Sequence, residues 1–171
     1  SNAFTWYSNN TLCSHTGGIF MDDDKVYVHV KLNELYLSQI PLTSFHIKVN
    51  GEQTISFAAN YKNDDNTINY NGNVYDLPVG ITMLGIFDQQ GGKQYLGDLA
   101  VTIGSKNAVS SGNGTMIKDP VDEFEFSLDI KTLSKLTGIP EESIKSVSFS
   151  CDNLGKDSIT TSGTSTGKYL G

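Results

Sequence analysis

Several groups of side chains in this sequence could do chemistry. Tyr27, His29 and Lys31 recur at every second position, as do His46 and Lys48, so each set shares one face of a strand. If those two strands are neighbours, His29 and His46 come close, and Tyr27 adds a ring whose apolar face and polar tip suit a sugar. Two histidines without a third donor are a weak zinc signal, and a solvated outer face is the plainer reading. Asp22, Asp23 and Asp24 could supply calcium ligands, as could Asp64, Asp65 and Asn66. Neither group has the alternate spacing of an EF-hand loop, and Asp equally suits the backbone angles of a turn. Glu123 and Glu125 share a strand face, about 6–7 Å apart by strand rise, a spacing that could serve a glycosidase. Acids on a solvent face more often only solubilise. Cys13-Ser14-His15 places a thiol beside an imidazole in sequence without any built-in geometry. No HExxH pattern occurs, and no enzymatic activity is expected. Tyr61, Tyr70 and Tyr75 punctuate an asparagine-rich stretch, and such groups on loops bind polar ligands adaptably. The predicted ligand-binding set is therefore Tyr27, His29, Lys31, His46, Tyr61, Tyr70 and Tyr75.

These residues need elements to hold them, and period-2 alternation dominates the chain. Val26, Val28, Val30 and Leu32 alternate with polar residues, as do Phe45, Ile47 and Val49, then Ile55, Phe57 and Ala59. Phe124, Phe126, Leu128 and Ile130 make the cleanest half-buried strand; Val147, Phe149 and Cys151 make another. Ile81 to Phe87 and Leu96 to Ile103 read as more fully buried strands. Asp22 to Lys25 is a turn. Asn50-Gly51 predicts a hairpin with Phe45 opposite Ile55 and Lys48 opposite Glu52, a register that keeps one apolar face. Asn71-Gly72 predicts a second hairpin, between 68–70 and 73–75, and Gln89 to Gln94 a third. Lys131 to Leu136 predicts one short helix ended by Gly138, followed by a turn from Pro140. Ser105 to Asp122 and the Ser/Thr/Gly-rich tail from about Thr160 read as loose. The expected fold is all-β: an antiparallel, jelly-roll-like β-sandwich with one short helix late in the chain.

Composition narrows the function classes. The chain has 171 residues and a net charge of −7, and all twelve basic residues are lysine. Without arginine or a basic field, nucleic acid is not an expected partner. No apolar run reaches the ~20 residues of a membrane span. Ser1-Asn2-Ala3 reads as the scar of a removed tag, leaving 4–171 as one domain. Cys13 and Cys151 lie near opposite ends of the chain. A disulfide between them would be worth roughly 5 kcal/mol in chain entropy. Two separate buried thiols remain equally open. No cofactor is required by any motif, with calcium the one candidate. Asn, Ser, Thr and Gly outnumber charged residues in the polar stretches, a style that fits an extracytoplasmic protein.

Trp6, followed by Phe20-Met21-Asp22-Asp23-Asp24-Lys25-Val26-Tyr27-Val28-His29-Val30, resembles a hairpin of family 9 carbohydrate-binding modules and related DOMON-like sandwiches. Glu123 to Ile130, with Leu133 and Leu136, looks like their late strand and short helix. More narrowly, the segments 27–31, Gln39-Ile40-Pro41, 76–80 and 85–88 resemble the extracellular domain of Firmicu-CTERM surface proteins. That likeness implies a Gram-positive cell-surface protein held by a C-terminal tail beyond Gly171, with a binding role. Family 9 modules hold a sugar between two tryptophans, whereas this chain has one. DOMON domains that bind haem use a Met and a His, and no spacing here singles out a pair. The leading expectation is an extracellular, non-enzymatic binding domain with carbohydrate as ligand. The alternatives are a structural or protein-interaction domain of the cell envelope, and a haem- or metal-binding surface redox protein. Sugar binding predicts a concave face with exposed tyrosines. Protein interaction predicts an exposed apolar patch or an open sheet edge.

Overall fold

The alternating segments become strands because each puts one row of apolar side chains inward and one polar row outward. The computed structural model describes residues 3–7, 14–31, 45–72, 74, 77–88, 94–106, 121–150 and 158–162. The strands are β1 (Ala3–Tyr7), β2 (Ser14–Met21), β3 (Lys25–Lys31), β4 (Phe45–Val49), β5 (Gln53–Asn60), β6 (Gly80–Asp88), β7 (Tyr95–Lys106), β8 (Val121–Asp129), β9 (Ser146–Ser150) and β10 (Ser158–Ser162). All pairings are antiparallel, and the order is β1-β2-β3-β8-β7-β6-β5-β4-β9-β10. The all-β antiparallel class with one short late helix is thus the architecture found. The described strands form one sheet rather than two, and it curls until β10 approaches β2, nearly closing a barrel.

The interior is filled rather than hollow. Phe45 on β4 lies 5.3 Å from Phe126 on β8, ring centre to ring centre, although four ladder steps separate those strands along the sheet. Phe149 on β9 completes the group, 6.0 Å from Phe45 and 5.6 Å from Phe126. Opposite walls of the curled sheet therefore interlock, as the two leaves of a sandwich would. Val26, Val28, Val30, Leu84, Ile86, Leu99 and Val101 are fully buried in the same core.

The helix α1 spans Ile130–Thr137 and seals this core with Ile130 and Leu133. It ends where Gly138 takes a left-handed conformation and its N–H donates to Ser134 O. A single 3-10 turn over Glu141–Ser143 follows Pro140. The helix start is tied to the β2–β3 turn, since Ile130 N–H donates to Asp24 O at 2.8 Å. No helix among the described residues is long and apolar enough to cross a membrane.

Two local expectations change. The Asn50-Gly51 hairpin pairs Phe45 with Phe57 and Lys48 with Thr54, two residues beyond the expected register. Parity is kept, so the same face stays apolar. Asn50 and Gly51 both sit at positive φ, 53° and 71°, and Glu52 becomes the third loop residue. Asn50 is held from far along the chain. Its Oδ1 accepts from the N–H groups of Lys145 (2.8 Å) and Ser146 (3.1 Å), and its Nδ2 donates to Ser143 O.

Ile68 pairs with Lys62, around a turn through Asn63 to Asn66. Of the second strand of the hairpin expected at Asn71-Gly72, Asn73 and Tyr75 lie outside the described residues. Second, β6 is not buried throughout: Ile81 is 77% exposed and Met83 56%. Ile81 and Met83 face outward, β5 ends at Asn60 opposite Gly85 and so does not flank them, and Lys62 covers the outer face only from Gly85 onward. The hairpin expected between β6 and β7 is present. Leu32, Cys13, Cys151, Tyr75 and most of the stretch from Ser105 to Asp122 lie outside the described residues.

Candidate functional site

Because the interior is packed, chemistry on the described part of this fold belongs to the outer face and its loops. The register lays out that face in rows. Across β3, β8, β7 and β6, one row reads His29, Glu125, Thr102, Ile81, and the next reads Tyr27, Ser127, Ala100, Met83. Lys31 stands opposite Glu123. The strands thus bring Tyr27, His29 and Lys31 together with both carboxylates. Glu123 Oε2 lies 3.8 Å from His29 Nε2 and 4.0 Å from Lys31 Nζ. Ion pairs this exposed stabilise by about 0–1 kcal/mol. The Tyr27 phenol is pushed above its ordinary range, first by burial and then by the charge of Asp22. Phe20 stacks beside it at 5.8 Å. The two rows together run from Tyr27 and His29 on β3, past Glu125 on β8, to Ile81 and Met83 on β6.

His46 does not join this group. β3 and β4 are not sheet neighbours, being separated by β8, β7, β6 and β5. His46 Nδ1 lies 2.8 Å from Ser56 Oγ, on a second outer face flanked by Ser150 and, around Lys48, by Ser148 and Thr54. The ring is oriented by a hydroxyl, not by the other histidine.

The Asn-rich loop is tightly ordered by its own side chains. Asn69 N–H donates to Tyr61 O, and Asn71 N–H to Asn69 Oδ1. Tyr61 is half-buried, and its ring occupies the space a Cβ at Gly72 would need, so glycine is required at that close approach. Thr67 donates both its hydroxyl and its N–H to Asp65, which holds that carboxyl below the usual range. Tyr70 is 73% exposed. Tyr61 and Tyr70 therefore belong to one loop, and Tyr27 to a different strand of the sheet.

Asp22 Oδ1 accepts from the N–H groups of Asp24 (2.8 Å) and Lys25 (2.7 Å), which is the chemistry of a turn. Among the described residues no three His, Cys, Asp or Glu side chains gather as a metal site. Met21 is buried in the core and Met83 lies three strands from His29, about 14 Å by sheet spacing. His29 and Met83 therefore do not stand as a haem-ligand pair.

Sequence reasoning missed one constellation. The Tyr95 hydroxyl donates to Asp98 Oδ1 at 2.6 Å, Lys62 Nζ lies 5.6 Å above the Tyr95 ring, and Phe87 meets that ring edge-on at 5.9 Å. The i, i+3 spacing of Tyr95 and Asp98 could not signal it, because a bulge at Ile86/Phe87 creates the geometry. Burial, then the hydrogen bond and charge of Asp98, push Tyr95 up to about 12. Its folded value is raised, so its stabilising contribution is complete below pH ~10 and is lost as pH rises towards 12. Tyr95 should ionise well after the exposed tyrosines in an alkaline absorbance titration. Asp98→Asn should bring it back down. Ionisation together with the others would contradict the assignment.

The remaining feature is apolar. Val79, Ile81 and Met83 are 62%, 77% and 56% exposed at the start of β6. Comparison with models of known families, with curated proteins and with solved structures gives no match.

Proposed function

We propose that the chain is a non-enzymatic binding domain acting outside the cell, and that it binds protein through the outer face of β6. The observation carrying this reading is the exposure of Val79, Ile81 and Met83 on a strand that β5 leaves uncovered over its first half. Exposed apolar side chains on an edge are a liability that proteins ordinarily blunt with Lys, Pro or a covering segment. Residues 80–84 carry no charge and no proline. The extracytoplasmic setting is supported by the hydroxyl-rich outer face around His46 and by the likeness to cell-surface domains.

Carbohydrate is the second reading, and Tyr70 favours it. Its exposed ring sits on a loop whose Asn and Asp side chains are already fixed, which lowers the entropy cost of binding a polar ligand.

Binding to isolated cell envelopes separates the two. On the protein reading, protease treatment of the envelopes abolishes binding, periodate leaves it intact, and Ile81→Lys with Met83→Lys weakens it at least tenfold. Loss after periodate, with sensitivity to Tyr70→Ala, would instead establish the carbohydrate reading.

A further inference from the structure

We propose that the uncharged edge of β6 pairs with the same edge of a second copy of this chain, antiparallel and centred on Thr82. This rests on the reading of β6 as the interaction surface. β7 covers β6 from Gly80 to Phe87, whereas β5 covers its other edge only from Gly85 to Asp88. Among the described residues no strand pairs with that second edge over Gly80–Leu84. Every other residue there points its N–H and C=O away from β7. The result is a notch about 16 Å long with a row of donors and acceptors.

A strand that fills the notch must be short, uncharged and apolar on its outer side. Another β6 meets all three conditions. Centred on Thr82, Ile81 lies opposite the partner's Met83, and Met83 opposite the partner's Ile81. Gly80 and the partner's Leu84 close the ladder, where the partner's own β5 takes over. Four exposed apolar side chains then cover one another on one face.

Charge does not oppose a second copy at this edge. The chain carries a net −7, so two copies repel over most of their surface. From Leu77 to Phe87 there is no charged residue at all. The β7 residues beside Ile81 and Met83 are Thr102 and Ala100. The one acid of β7, Asp98, accepts the Tyr95 hydroxyl. Glu125 lies two strands in, so the two copies of it would stand about 24 Å apart across the joined sheet, well beyond the ~8 Å screening length. The one described charge against this part of β6 is Lys62, whose Cδ lies beside Gly85 at the end of the notch, and its ammonium is engaged by Asn66 and the Tyr95 ring.

The test is a cysteine at the two-fold position. Antiparallel partners have Cα atoms about 4.5–5.5 Å apart, within disulfide reach. In Thr82→Cys, mild oxidation should give a disulfide between the two introduced cysteines, mapped by mass spectrometry because Cys13 and Cys151 are also present. Thr102→Cys, exposed one strand away, should not cross-link. Sedimentation of the unmodified chain should show a reversible dimer. Ile81→Lys with Met83→Lys should lower its association constant at least tenfold while circular dichroism stays unchanged. A chain that stays monomeric at roughly 1 mM, with no cross-link at position 82, overturns self-pairing. If that monomer still binds envelope protein through Ile81 and Met83, the interaction surface stands without the dimer; if it does not, both fall.

Discussion

Phe45→Ala is expected to lower the unfolding free energy by about 3–5 kcal/mol, the range for truncating a large buried aromatic. Its ring touches Phe57 on the neighbouring strand and Phe126 and Phe149 across the interior. Truncation would therefore open a cavity that no single wall of the sheet can collapse into. Domains of this size are commonly stable by only 5–15 kcal/mol, so the variant loses a large share of its stability. Urea denaturation measures this directly. A loss below 1 kcal/mol would mean that the two walls do not interlock at Phe45.

Asn50 should carry the second-largest effect, out of proportion to an exposed turn residue. Its side chain makes three hydrogen bonds to the chain around Ser143–Ser146, and its backbone sits at a φ of 53°. Each bond contributes about 0.5–1.5 kcal/mol, and the left-handed conformation costs a residue such as alanine about 1–2 kcal/mol. Two of the three bonds are exposed to solvent, so the sum falls toward the low end of its range and Asn50→Ala should cost about 2.5–4 kcal/mol. Asn50→Gly removes the bonds but tolerates the backbone, so it should recover about 1 kcal/mol of that. Asn50→Asp keeps the two accepted bonds and should be the mildest of the three. Equal, small losses for Ala and Gly in urea melts would show that the clamp is dispensable.

Asn50 also explains where sequence reading succeeded and stopped. Alternation located β3, β4, β5, β8 and β9, because each has one buried and one solvated face. It could not choose between hairpin registers two residues apart, since both keep Phe45 and Ile47 inward. The choice is made by contacts to Lys145 and Ser146, far along the chain. Likewise the run from Ile81 to Phe87 looked buried because it is apolar at nearly every position. Its exposure depends on where β5 ends, a tertiary fact. The pairing of Lys62 with Ile68, and the seat of Lys62 over Tyr95, are likewise tertiary facts that alternation does not reveal.

The candidate site divides in the same way. The cluster of Tyr27, His29 and Lys31 was legible because one strand carries all three. Its partners Glu123 and Glu125 lie some hundred residues away in sequence and meet it only through the pairing of β3 with β8. His46 would meet His29 only if their strands were neighbours, which alternation cannot establish. The chain between them crosses to the far side of the sheet order instead.

The open edge of β6 is the claim on which the functional reading turns, and amide hydrogen exchange on dilute protein tests it most directly. The prediction is an alternating pattern over Gly80–Leu84: amides bonded to β7 protected, and those facing the notch exchanging almost as in an unfolded chain. Protection of all five amides at every dilution would contradict it, because the edge would then already be covered within one molecule and could receive no partner.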